Sequence, residues 1–204
     1  DYSEIKKIKF KSKIIQLGFV RLSIQDTAQH SNKIFHDKNS LILFNGEIYN
    51  FKELKKKYLS GVKFETNTDT EVLFKLYQLK GKRILRELRG IFSFVFIDFK
   101  SENIQLIRDF TGTKPLYYSK KRLSLFFSSE AWFLYSVSEK KIDEDCFNYY
   151  FNFGFTKEDK TLIQNVNKIP ASHILKFNLN NFSLDKKKYY DLDLQKNFDN
   201  PSAE

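Results

Sequence analysis

The sequence predicts an α+β domain in which antiparallel strands dominate and a sheet is packed between other layers. Three observations carry this. Short apolar runs fill most of the first two thirds of the chain, and two helical patterns interrupt them. One run, residues 91–99, sets Phe92, Phe94 and Phe96 against Val95 and Ile97 on the opposite side of a strand. A strand that is bulky on both faces is covered on both.

Residues 14–20 and 41–44 read as strands, as do 91–99 and 104–108, the last two joined by the turn Lys100-Ser101-Glu102-Asn103. Residues 116–119 and 123–128 make a further hairpin around Lys120-Lys121-Arg122, so the whole is expected to run as a long antiparallel meander. Residues 50–59 form a helix with Phe51, Leu54 and Tyr58 on one stripe. Residues 70–79 form a second, with Val72, Leu73, Leu76 and Leu79 facing inward and Asp69 as its N-cap. Ser129 is expected to cap a short helix at 130–135, and Asp143 a helix at 144–151. A strand at 173–177, the turn Asn178-Leu179-Asn180-Asn181 and a strand ending near Tyr190 follow. Beyond Asp191 the chain turns polar and reads as a linker.

A length of 204 residues with 41% hydrophobic and 17% aromatic content suffices for a sizeable core. The single cysteine, Cys146, excludes an internal disulfide, and His30, His36 and His173 are too scattered for a metal site. Both facts suit a reducing cytoplasm. No apolar run is long enough to span a bilayer, and no secretory leader pattern is present. The formal charge of +10 arises from 35 basic residues spread among 25 acidic ones, without a long basic arm. Solvated lysine on helix faces and turns accounts for that distribution better than a nucleic-acid surface. Neither a nucleic-acid partner nor a membrane is therefore expected.

Four polar constellations stand out, the first three open to two readings. Arg21 sits among apolar neighbours and needs an anion, either an internal carboxylate or a ligand's. The stretch Phe44-Asn45-Gly46-Glu47-Ile48-Tyr49-Asn50 joins a strand to a donor-rich turn; Asn45 and Gly46 there suit an oxyanion hole or a plain turn. Asp69 either caps a helix or receives an ammonium group. The connection from Arg108-Asp109 through Gly112-Thr113-Lys114-Pro115 is a sharp charged turn.

Taken in order, these pieces resemble the glutaminase domain of the asparagine synthetase (glutamine-hydrolysing) family. Leu17-Gly18-Phe19-Val20-Arg21-Leu22-Ser23-Ile24-Gln25-Asp26, then the Asn45-Gly46 stretch, then Thr68-Asp69-Thr70-Glu71-Val72-Leu73, then Arg108-Asp109 to Tyr117-Tyr118 all match its motifs. Ser128-Ser129-Glu130 and Lys168-Ile169-Pro170-Ala171-Ser172-His173 add to the likeness. The resemblance covers residues 1–190, leaving 191–204 as a linker toward an ATP-dependent synthetase domain. It implies a class II glutamine amidotransferase with the N-terminal-nucleophile fold, two antiparallel sheets between helical layers.

That resemblance also implies roles. Arg21 would pair with the α-carboxylate of L-glutamine, Asp69 would hold its α-ammonium, and Glu47 would help fix the amino-acid end. Asn45 and Gly46 would form the oxyanion hole, and Leu22, Ser23, Ile24 and Gln25 would line the same pocket. The family nucleophile is an N-terminal cysteine, whereas residue 1 is Asp and Cys146 falls in a predicted helix. The expectation is that roughly thirty residues of a typical member, the catalytic cysteine among them, precede Asp1. Phe19 and Val20 stand where the family often has His and a variable residue, and Thr113 replaces a usual Ile or Val. The seven glycines include no adjacent pair, so the family's Ser-Gly-Gly pyrophosphate loop does not occur in this sequence. No cofactor is expected in this chain; ATP and Mg belong to the synthetase domain, and the longer parent is a candidate homodimer.

Two further readings stand beside the glutaminase. One is a non-catalytic glutamine-binding or scaffold module, which would keep Arg21, Asn45, Glu47 and Asp69 without the chemistry. The other is a basic-surface nucleic-acid binder, which the even spread of lysine disfavours.

Overall fold

A computed structural model describes residues 2–21 and 34–191. The chain opens with an antiparallel hairpin of β1 (Tyr2–Phe10) and β2 (Lys13–Arg21). Then come β3 (Phe35–His36), β4 (Ser40–Ile48), α1 (Phe51–Tyr58), α2 (Asp69–Lys80) and a 3-10 turn at Gly81–Arg86. The strands β5 (Gly90–Asp98) and β6 (Asn103–Arg108) precede a second hairpin, β7 (Tyr117–Lys121) and β8 (Ser124–Ser128). Two helices, α3 (Ala131–Tyr135) and α4 (Glu144–Phe153), lead to β9 (Asn167–Lys168), β10 (His173–Asn178) and β11 (Leu184–Lys188).

A six-stranded antiparallel sheet, in the order β11-β10-β6-β5-β4-β3, forms the centre. The alternation read from residues 91–99 separates its two faces. Phe92, Phe94 and Phe96 pack with Leu54, Leu73, Leu76 and Ile84 of the helices, whereas Val95 and Ile97 pack with Ile15 and Leu17 of β2 and with Leu116 and Ile169. The second face is covered by the β1–β2 hairpin and by a three-stranded sheet, β8-β7-β9, against which α3 packs. Layers thus run helix, sheet, second β-layer, helix. Burying a large aliphatic or aromatic side chain contributes about 1.5–3 kcal/mol, so the doubly covered β5 contributes to the core on both of its faces.

The expected single meander breaks after β6. There Arg108 and Asp109 turn the chain out of the sheet, and β10 takes the vacated edge of β6. Asp109 is fully buried and is the hub of the turn. Its carboxylate accepts hydrogen bonds from the amides of Phe92 (3.1 Å), Thr111 (3.1 Å), Thr113 (3.0 Å) and Lys114 (3.0 Å), and from the Thr111 hydroxyl (2.7 Å). Arg108 spans the turn from the other side. Its guanidinium donates to the carbonyls of Lys114 (2.9 Å), Ile169 (2.7 Å) and Gly112. Gly112 has φ 68°, and a side chain there would press on that guanidinium.

Four other expectations are corrected, the first being that Leu79 of α2 faces inward: it is 59% exposed. Asn45, Gly46 and Glu47 do not form a turn but continue β4, opposite Ser93, Phe92 and Ile91. Ladder pairing uses the backbone, so polar side chains near a sheet end do not stop it. The N-cap of α2 is Thr68, whose hydroxyl accepts from the amide of Glu71, and Asp69 is the first helical residue. The N-cap of α3 is Glu130, not Ser129, and it makes no side-chain cap bond. Strand β1 went unforecast because its lysines mask the alternation of Ile8 and Phe10 inward with Lys7 and Lys9 outward. By contrast, Asp143 does cap α4, accepting from the amide of Cys146 at 3.0 Å.

Burial pushes the Asp109 carboxyl upward, but the amides of Lys114 and Thr113, the Thr111 hydroxyl and the amide of Phe92 outweigh it and hold the group below the ordinary aspartate range. A carboxylate depressed in this way stabilises the fold above its unfolded pKa, and the contribution disappears as pH falls through the folded value. Asp109→Ala is expected to lower stability by about 3–5 kcal/mol, because several buried amides lose their acceptor. Urea titrations between pH 7 and pH 3 should show the wild type losing stability in acid more steeply than the variant does; parallel curves would refute the assignment.

Candidate functional site

The polar end of β4 is held from three directions. From below the helix layer, the Asp69 carboxylate accepts a hydrogen bond from the amide of Ile48 at 2.9 Å, across 21 positions of sequence. Asp69 is buried, and it is presented by the first turn of α2, where the helix dipole favours negative charge. The loop leading into that helix is fixed by Glu71, itself 2% exposed, which accepts from the amides of Glu65 (3.0 Å) and Thr66 (2.7 Å) and from the Thr66 hydroxyl (2.8 Å). Asp69 therefore has little freedom to move.

From the far side, Asn50 clamps the segment that enters β5. Its amide donates to the Glu87 carbonyl at 2.9 Å and its oxygen accepts from the Arg89 amide at 3.0 Å. The Tyr49 amide adds a bond to the Arg89 carbonyl at 2.8 Å.

The third constraint is steric. Gly46 has φ 142°, and a Cβ there would lie 2.1 Å from the Ile91 carbonyl oxygen and 2.6 Å from the Phe92 Cα. Only glycine lets the two strands approach so closely. Gly90, opposite Ile48, is confined in the same manner, since a Cβ on it would lie 2.1 Å from the Glu47 carbonyl oxygen. Phe92 in turn is bound through both its amide and its carbonyl by Asp109. The buried hub of the fold thus backs the strand that faces Gly46.

Strand alternation sends Asn45 and Glu47 to the face of the sheet that carries Leu41 and Val95, between the β-layers, and Gly46 to the helix side. Asn45 is exposed and shares a row with Ser93 and Arg108. The Ser93 hydroxyl donates to the Pro115 carbonyl at 3.1 Å, so Asn45 is the accessible polar side chain of that row. Asn45, Gly46, Glu47 and Asp69 are therefore brought to one end of one strand. Arg21 ends β2; its side chain and residues Leu22, Ser23, Ile24 and Gln25 lie outside the described part. The bracing groups Asn50, Gly90 and Asp109 were not singled out from sequence as parts of this site, although the Gly46–Phe92 approach gives each a purpose.

Cys146 is 2% exposed on α4, and burial, with Asp143 nearby, pushes its thiol up. Its other charged neighbours are Lys157 and Lys160, none of them on β4. Among the described residues no group of three or more His, Cys, Asp or Glu is placed to hold a metal ion, and no helix is long and apolar enough to cross a membrane. A groove of about 1120 Å³ opens on the helix side of the sheet, at Ser40 and Asp98, the end of β4 and β5 remote from Gly46.

The layering is that of the N-terminal-nucleophile fold. A solved structure with that arrangement, glutamine phosphoribosylpyrophosphate amidotransferase from B. subtilis complexed with ADP and GMP, superposes with a TM-score of 0.58 at 17% identity, covering 87% of this chain and 35% of the other. The chain belongs to the glutamine amidotransferase domain family, whose profile matches residues 6–190. Among its curated relatives are several asparagine synthetases and two fungal amidases. A provisionally named asparagine synthetase [glutamine-hydrolyzing] 2 of Methanocaldococcus jannaschii is 34% identical over 203 residues, 90% of this chain and 39% of that protein. Asparagine synthetase [glutamine-hydrolyzing] 1 of Bacillus subtilis is 34% identical over 163 residues, 78% of this chain and 26% of that protein. The chain thus spans well under half the length of these relatives.

Replacing Gly46 by Ala is expected to cost about 2–4 kcal/mol, because the methyl group meets backbone that has no side-chain freedom to yield. Thermal melts of Gly46→Ala and of Gly18→Ala, where a Cβ meets nothing within 4 Å, should separate widely. Equal melting temperatures would show that the close approach of β4 and β5 is not maintained.

Proposed function

We propose that the chain is the glutamine-receiving domain of an asparagine synthetase-like amidotransferase, and that the end of β4 is where glutamine binds. The observation that carries this reading is the bond between Asp69 and the Ile48 amide, which joins two distant motifs at one strand end. A carboxylate accepts several donors, so Asp69 suits an α-ammonium group beside the amide it already holds. Arg21 pairs with the α-carboxylate, Glu47 steadies the amino-acid end, and Leu22, Ser23, Ile24 and Gln25 complete the pocket. Asn45 supplies a side-chain amide and Gly46 a backbone amide toward a developing oxyanion. A zwitterion is thereby met by one cation and one anion, and a tetrahedral centre by two donors.

In the parent reaction glutamine gives glutamate and ammonia, and the ammonia passes to a synthetase domain that amidates aspartate at the expense of ATP, in the cytoplasm. Covalent hydrolysis of this kind needs an activated nucleophile in front of the oxyanion donors. The sole thiol of this chain is Cys146, buried on α4 with its thiolate disfavoured. The 204-residue chain by itself is therefore inactive as a glutaminase. The same burial favours a second reading, a module that binds glutamine without chemistry.

Glutamine mixed with the purified chain should release no ammonia above the uncatalysed background; enzymatic turnover would overturn the claim that no competent nucleophile is present. Calorimetry separates binding from chemistry. Asp69→Asn and Arg21→Ala should each weaken glutamine affinity at least tenfold, about 1.4 kcal/mol, relative to the unaltered chain. Failure of the unaltered chain to bind would remove the module reading.

A further inference from the structure

The groove at the remote end of the sheet carries a charge imbalance that the amidotransferase reading does not use. It lies between α2 with the 3-10 turn on one side and the outer strands β10 and β11 on the other, where Lys176, Asp185 and Lys187 are exposed although Ile174 of β10 is buried in the helix-side core. Lys82, Arg83 and Arg86 stand on the helical wall, Lys176 and Lys187 on the strand wall, and Lys100 at the end of β5. The three acids of the lining are engaged close by. Asp37 accepts from the amides of Asn39 and Ser40, each at 2.8 Å, and from the Gln78 side chain at 2.7 Å. Asp98 caps the turn at Lys100 and Ser101, and Asp185 pairs with Lys187 at 3.0 Å. Among the described residues, Lys82, Arg83, Lys100 and Lys176 have no carboxylate within ion-pair distance.

We propose that this groove binds an acidic polypeptide segment in extended conformation. The spacing of the cations decides the class of ligand. The floor crosses β5, β6, β10 and β11, three inter-strand steps or about 14 Å, which is the length of about four residues of extended chain. A single phosphate or a small dicarboxylate reaches cations at one end of that span only. Of the rings that line the groove, Tyr77 on α2 and Phe96 on β5 are buried and engaged with each other at 4.8 Å between centroids, and the half-buried Tyr189 donates its hydroxyl to the Arg108 carbonyl at 2.9 Å, so the cations and not stacked rings are the main recognition element. Polar groups line the middle instead: Gln105, held by the Tyr77 hydroxyl at 2.8 Å, lies between Phe96 and Lys176 in one cross-strand row. Arginine forks and lysines around a polar trough match carboxylates set along a peptide.

Fluorescence anisotropy of a fluorescein-labelled hexaglutamate peptide, titrated with the full 204-residue chain at low and at moderate salt, tests the proposal. The double variant Arg83→Glu/Lys176→Glu should bind at least tenfold more weakly, and Lys100→Glu/Lys187→Glu should do likewise. Lys120→Glu/Lys121→Glu, an equal charge reversal on the exposed end of β7, should stay within twofold of the unaltered chain. Circular dichroism confirms folding of each. Equal losses in the β7 variant would mean that net charge alone attracts the peptide, and would overturn the proposal, as would absence of binding. Displacement of the peptide by tripolyphosphate at lower concentration than by unlabelled hexaglutamate would also overturn it, in favour of a phosphate ligand.

Discussion

A single buried carboxylate organises the Gly46 end of the central sheet. Asp109 receives the amide of Phe92 and gives its own amide to the Phe92 carbonyl, so the start of β5 is held in the position that Gly46 must approach. The same residue closes the 109–115 turn and accepts the Ser172 amide through its carbonyl at 2.9 Å, which sets where β10 begins. Removing that charge would not merely lose one contact. It would release the turn and the strand opposite Gly46, and with the turn the main-chain carbonyl from which the entry of β10, beside β6, is hung. Such concentration of structural duties in a desolvated group is costly unless every lone pair is met, and here amides and a hydroxyl meet them.

Much of the fold was legible because its signals are local. The two-sided run at Phe92–Ile97 gave β5 and its double cover, and the helical stripes through Leu54 and Leu73 gave α1 and α2 to within a residue or two. What escaped has physical reasons. Asn45-Gly46-Glu47 looks like a turn in side-chain terms, yet pairing is a backbone property, and the tight fit against Ile91 becomes visible only once β5 is beside it. Thr68 and Asp69 compete for the cap, and the competition is settled by Ile48, a strand residue that claims the Asp69 carboxylate. Long-range bonds from side chain to backbone leave no periodicity to read. The break in the meander was hidden likewise, since Asp109 needs partners on β5 and in its own turn at once.

At the level of the site, the ordered motifs named the residues but not their joinery. Asn45, Glu47 and Asp69 were chosen as ligand contacts, and their positions at one strand end depend on Asn50, Gly90 and Glu71, which brace rather than contact. The ends of the central strands also differ in chemistry. From Gly46 to Ser40 β4 runs about 20 Å, from a sterically closed corner that carries Glu47 and Asp69 to an open cationic trough. Two ligands at these ends would not compete for space, and the rigid, doubly covered β5 connects them.

The outermost strand of the six-stranded sheet, β11, bears Lys186, Lys187 and Lys188 along an edge whose backbone has no neighbour among the described strands. An unprotected edge invites another molecule to add a strand, the first step toward fibrillar aggregation, and closely spaced ammonium groups make that approach electrostatically unfavourable. In a chain so rich in phenylalanine, with Phe151 81% exposed on α4, some such safeguard has a direct value in keeping the protein dispersed. The lysine excess that first suggested a nucleic-acid surface thus has, at this edge, a colloidal role: it keeps the sheet finite.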